Sequence, residues 1–160
     1  MNSELNFGVI GIYSGVYFIS PIISAILIGL ILHKWGKENI KPLIPAFSIH
    51  GGLLGLLIVS FVLDFFDLYR NLIHLGKLVE YMILCIGLAV LYTSPGKCIV
   101  YLICVYHILV VLMLIYCIYG AGYVFSSALI PSISIRATAI PFLLLGLHNY
   151  QEKTEKQDNL

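Results

Sequence analysis

The chain has 160 residues, 60% of them hydrophobic and 11% charged, with a formal net charge of +1. A soluble domain averages about 45–50% apolar and about 25% charged residues, so a soluble fold of this length would lack the polar surface to cover its apolar content. The mean hydropathy of +0.99 points to a polytopic membrane protein, and a balanced charge with no basic cluster argues against nucleic acid as a partner.

The N-terminal MNSELN contains Glu4 and neither Lys nor Arg. It lacks the positive start of a secretory signal, so the first apolar run is expected to stay in the mature protein. That run, 7–32, is uncharged and long enough to cross about 30 Å of hydrocarbon with some tilt. Small residues recur along it as Gly8, Gly11 and Gly15, then Ser20 and Ser24. The loop HKWGKENIKP (33–42) follows, carrying Lys34, Lys37, Lys41 and an interfacial Trp35. A second span, 43–63, contains His50, Gly51, Gly52 and Gly55. Gly11/Gly15 and Gly51/Gly55 fit the small-xxx-small spacing that lets helix backbones approach closely in lipid. Those faces pack helices within one subunit or between copies. A bundle this small has little internal volume, so self-association is expected.

From 64 to 77, Phe65, Leu68, Tyr69, Leu72 and Ile73 recur at helical spacing opposite Asp67, Arg70, Asn71, His74 and Lys77. That pattern describes an amphipathic helix. An interfacial position is the expectation, and the N-terminal half of a long third helix is the alternative. The third span, 78–93, contains Glu80, three residues beyond Lys77 and so paired with it at the surface by expectation. The turn SPGK (94–97) then leads into a fourth span, 98–119, as an antiparallel hairpin. Cys85, Cys98, Cys104 and Cys117 form no C-x-x-C pair and read as small hydrophobes.

The stretch IPSISIRATAIPF (130–142) is the exception to this pattern. Arg136 is its one cation, and Ser132, Ser134, Arg136 and Thr138 alternate with apolar residues between Pro131 and Pro141. Period two suits extended chain, and both prolines disfavour a helix interior. The segment 123–148 therefore reads as two short helices joined by an extended link. A broken fifth span, a re-entrant loop or an interfacial cover all fit. The expected fold class is all-α: a single transmembrane bundle over 1–150, with four spans plus this proline-broken fifth span or re-entrant element, and a polar tail at 151–160.

Sidedness depends on the number of crossings. A fifth crossing puts Lys34, Lys37, Lys41, Lys97, Lys153 and Lys156 on one side, opposite Arg70 and Lys77, and by the positive-inside bias the lysine-rich side is cytoplasmic. With four crossings the basic residues are nearly balanced. The basic loop next to the first helix favours an N-terminus outside.

His50 and His107 carry the chemistry of most interest. If loop 33–42 and turn 94–97 share a side, helix rise puts the two rings about 10 and 13 Å deep. Polar packing is the plain reading. A proton relay is a second, and a haem held edge-on, with room left by Gly51 and Gly52, is a third. No G-x-S-x-G, H-E-x-x-H or phosphate loop is present, so no enzyme and no resident cofactor is expected. The leading functional expectation is a non-enzymatic subunit of a membrane assembly. It is homo-oligomeric, sits in a bacterial plasma membrane and meets a cytoplasmic partner through Lys34, Lys37 and Lys41. Small four-span proteins of this layout serve in bacterial phage-defence and toxin-immunity systems. The alternatives are a small oligomeric pore or transporter using Arg136, Ser132, Ser134, Thr138 and Glu80, and an electron-transfer subunit using His50 and His107.

Overall fold

The computed structural model describes residues 3–65, 71–119 and 129–158, with the side chains of 3–14, 63–65, 71–77, 117 and 157–158 left aside. Among the described residues the chain is helical, without strands. Helix α1 spans Ser3–Trp35 and a 3₁₀ segment spans Glu38–Leu43; α2 (Ile44–Phe65), α3 (Asn71–Thr93), α4 (Lys97–Tyr119) and α5 (Leu129–Asp158) follow. Four stretches are long and apolar enough to cross a membrane: Gly15–Trp35, Glu38–Val62, Lys97–Tyr116 and Leu129–Lys156.

Helix α2 is the hub and touches α1, α3 and α5, while α4 packs chiefly on α5. In its apolar window 61% of α2 is buried, against 6% of α1, so α1 is a peripheral helix laid along α2. Glycine makes that contact possible. A Cβ on Gly51 would lie 2.6 Å from Ile28 Cδ1, and one on Gly52 would lie 2.9 Å from the Pro21 carbonyl oxygen. One on Gly55 would run into the Ser24 side chain. The expected role of Gly51 and Gly55 as a packing face thus operates inside the subunit. Gly15 faces open space, and the surroundings of Gly11 lie outside the described residues. Leucine at Gly55 should force α1 off α2 and cost about 1–3 kcal/mol through overpacking. Unfolding in detergent would measure it, with Gly15→Leu unchanged as the matched control.

The basic loop is more ordered than its composition suggests. Ile40 and Leu43 of the 3₁₀ segment are fully buried, and a Cβ on Gly146 of α5 would stand 2.9 Å from Leu43 Cδ2. The Lys153 ammonium donates to the Glu38 carbonyl at 2.9 Å, and Lys37 lies over the Tyr92 ring at 5.5 Å. These contacts bring the ends of α1, α3 and α5 and the starts of α2 and α4 to one end of the bundle. Lys34, Lys37, Lys41, Lys97, Lys153 and Lys156 all belong to that end.

Two expectations need correction. The segment 130–142 is one continuous helix with no extended link. Pro131 falls in the first turn of α5, where its missing N–H has no intrahelical partner to lose. Around Pro141 the helical period prevails, because Arg136, Ala139, Leu143 and Leu147 recur on one buried stripe. The polar residues are compatible with it, since Thr138 Oγ1 donates to the Ser134 carbonyl at 2.8 Å. The helix also continues through most of the polar tail, to Asp158. The second correction concerns 64–77. Residues 66–70 lie outside the described residues, as do 120–128 at the start of the expected 123–148 segment. The part from Asn71 onward belongs to α3, which is the long third helix and not a separate interfacial one.

Among the described residues the core has two apolar clusters. Leu43, Ala46, Phe47, Leu91, Val100, Ile103, Cys104, Leu143 and Leu147 form the one next to the lysine-rich end. Leu53, Leu57 and Leu84 form the other. Buried polar groups separate them.

Candidate functional site: a polar chain across four helices

His50 from α2, His107 from α4 and Arg136 from α5 are 0–1% exposed, and they meet between the two clusters. His50 Nδ1 lies 2.7 Å from the Ala46 carbonyl oxygen. His50 Nε2 lies 2.8 Å from His107 Nε2. His107 Nδ1 lies 3.4 Å from Arg136 Nη1, and Arg136 Nη2 forms an ion pair with Glu80 Oε1 of α3. The Ser132 hydroxyl accepts from Arg136 Nε at 3.4 Å, and the guanidinium lies 5.8 Å from the Tyr106 ring centroid.

The partners determine the tautomers. A carbonyl only accepts, so His50 carries its proton on Nδ1 and presents a bare Nε2. His107 Nε2–H then donates to that nitrogen, which leaves His107 Nδ1 bare to accept from Arg136. Every N–H from arginine to carbonyl points the same way, and both imidazoles are neutral. The charges in the chain are the guanidinium and the carboxylate, which compensate each other.

Depth follows from the shared end. Counted at ~1.5 Å per residue from Leu43, Lys97, Gly146 and Thr93, His50 lies about 10 Å in, His107 and Arg136 about 15 Å, and Glu80 about 20 Å. The chain therefore runs along the bundle axis, with Glu80 at its far end. The Glu80 side chain is 23% exposed against 1% for Arg136, so solvent or lipid reaches the chain through the carboxylate.

Four of the sequence candidates thus converge: His50, His107, Glu80 and Arg136, joined by Ser132. Glu80 pairs across the bundle with Arg136, while the side chain of Lys77, its expected surface partner, lies outside the described residues. Ser134 and Thr138 are exposed and turn away, lining a cavity of about 250 Å³ with residues of α1 and α2. Lys34, Lys37 and Lys41 are exposed at the basic end, where Lys41 pairs with Glu38 at 2.5 Å and Lys34 stacks on Trp35. The plain polar-packing reading, a neutral imidazole on a neighbouring carbonyl, describes His50 on Ala46, and Tyr106 stands beside the guanidinium. Helical spacing offers the Ala46 contact, because a buried histidine commonly reaches the carbonyl four residues back.

Haem does not fit the rings as placed. An iron held between two imidazoles needs their nitrogens about 4 Å apart, twice a metal–nitrogen bond of about 2 Å. The 2.8 Å separation is a direct hydrogen bond. Gly51 and Gly52, the expected room for a macrocycle, receive Ile28 and Pro21 of α1 instead. Among the described residues no group of three or more His, Cys, Asp or Glu is arranged to hold a metal ion. Cys85, Cys98 and Cys104 are free thiols.

Fold and site define a small helical bundle organised around a buried ionic and imidazole chain. No protein-family model, curated protein or solved structure matches the chain.

Proposed function

We propose that this chain is a non-enzymatic integral membrane subunit with five crossings and its lysine-rich end in the cytoplasm. Four long apolar stretches support the membrane reading. So does an outer surface of exposed aliphatic residues, such as Ile22, Leu30, Ile86, Leu102 and Leu109. The α3 helix, 23 residues from Asn71 to Thr93, supplies the remaining crossing. The gathering of lysines at one end supports the orientation. Cysteines introduced at Asn39 and Lys156 in a Cys-free background should label from the same compartment, and one at Asn2 from the opposite one. Labelling of 39 and 156 from opposite sides would refute five crossings.

The observation that carries the functional reading is the continuous Glu80–Arg136–His107–His50 chain, which joins four helices. Arg136 is walled in by protein and faces the opposite charge of Glu80. Such a chain is an interlock that holds α2, α3, α4 and α5 in one arrangement, from which the basic end engages a cytoplasmic partner. The setting we propose is a self-associating assembly in a bacterial plasma membrane, of the phage-defence or toxin-immunity type that the layout resembles. An ion pair at this depth also motivates a transporter, since intramembrane charges commonly mark pathways. Proteoliposomes decide between the two. The interlock predicts proton and chloride flux no greater than in empty vesicles. Flux that Arg136→Gln abolishes would overturn it in favour of transport.

A further inference from the structure

Helices α3 and α4 touch only sparsely, and between them lies a cavity of about 480 Å³. Its wall is apolar from one end to the other. Val90 and Ile99 stand near the lysine-rich end, Gly87 lies midway, Ile83 and Leu109 close the deep end, and His50 is the one titratable side chain apart from Tyr106. The mouth opens outward between residues that are themselves exposed, including Ile83, Ile86, Leu102 and Leu109. By helix rise the cavity extends from about 3 Å to about 18 Å below the α3–α4 turn. Its shape suits an alkyl chain lying along the helices, and its size falls within the range of about 300–1,000 Å³ typical of ligand cavities.

Charge at the shallow end selects the headgroup. Lys97 is the first residue of α4 and is exposed. Lys37 lies over the Tyr92 ring at the end of α3. No acidic residue occurs in α3 beyond Glu80, in the turn or in α4. We propose that the α3–α4 cleft binds an anionic phospholipid, one acyl chain filling the cavity past His50 to Ile83 and Leu109 and the phosphate held by Lys97 and Lys37. This rests on the membrane reading above. The site is distinct from the polar chain, although His50 is common to both.

The test uses the full chain in mixed phosphatidylglycerol and phosphatidylcholine vesicles, each lipid supplied in turn with a photoactivatable acyl chain. Crosslinks from the phosphatidylglycerol probe should map to 83–90 and 99–109 and spare the exposed face of α1. The phosphatidylcholine probe should label these segments about fivefold less for each lysine engaged, the equivalent of about 1 kcal/mol. Lys37→Gln with Lys97→Gln should erase the headgroup preference. Gly87→Leu should abolish the specific crosslinks, because a Cβ there meets nothing closer than Ile103 at 3.7 Å and a larger side chain would occupy the cavity. Labelling spread evenly over α1 and α4, or equal yields from the two probes, overturns the site. Both outcomes are read on the wild-type chain, so a misfolded variant does not block the result. A chain that fails to sediment with vesicles, or is stripped from them by alkaline carbonate, would overturn the membrane reading instead.

Discussion

Replacing Arg136 with glutamine should cost the bundle about 3–5 kcal/mol, the typical penalty for breaking one side of a buried ion pair. Arg136 is 1% exposed and its guanidinium serves Glu80, His107 and Ser132 together. Without it the Glu80 carboxylate loses the buried charge that faces it across the bundle and His107 Nδ1 loses its donor. Most of that cost is the stranded carboxylate, which gives the prediction its sharper form. Glu80→Gln combined with Arg136→Gln should be less damaging than the sum of the two single changes, by at least about 1 kcal/mol. Unfolding equilibria in bicelles for the four members of this cycle supply the number. Additive losses would mean that the pair contributes nothing specific to the fold.

Phenylalanine at His107 should be nearly as harmful for a different reason. The ring fills the same space, so packing between the two apolar clusters is retained. Both hydrogen bonds disappear, however, and Arg136 Nη1 and His50 Nε2 are left without partners in a buried site. An unsatisfied buried polar group costs about 1–3 kcal/mol, and more when charged. The expected loss is about 2–4 kcal/mol in the same assay. His50→Phe should cost less, because it orphans only the His107 Nε2–H: the Ala46 carbonyl keeps the helical backbone N–H of residue 50, and the arginine's acceptors stay in place. Equal losses at the two positions would argue against a directed chain ending at Ala46. A larger loss at His50 would reverse the assigned order.

Much of the layout is legible in the sequence. Uncharged runs mark α1, α2 and α4, and SPGK marks the α3–α4 turn, because exclusion of charge over a bilayer's thickness is a strong and local signal. The polar candidates were also visible, since Glu80, His50, His107 and Arg136 stand out against apolar surroundings. Their mutual contact was not. It depends on the lateral order and rotation of four helices, and no local pattern encodes either. The equal-depth argument for His50 and His107 held because both were counted from neighbouring turns. It failed to include Arg136 because the prolines and the Ser/Thr alternation suggested extended chain. Hydroxyls that bond back to their own helix make such alternation compatible with an apolar helix, and Pro131 at a helix start carries little penalty. The same continuity of α5 brings Lys153 to Glu38, at the end of the bundle that carries the basic loop.

The Glu80–Arg136 pair also has a direction. In the proposed orientation, with the basic end in the cytoplasm, the guanidinium lies on the inner side of the carboxylate, so the pair is a small electric dipole along the membrane normal. The resting potential, negative inside, favours that orientation. A contact pair separates its charges by about 4 Å at most, roughly an eighth of the hydrocarbon thickness. One elementary charge crossing 100 mV is worth about 2.3 kcal/mol, so the field contributes about 0.3 kcal/mol to this pair. That is a tenth or less of the roughly 3–5 kcal/mol needed to break it. Voltage holds the pair gently in its native sense and is too weak to move it, so depolarising the membrane should leave the bundle's conformation unchanged.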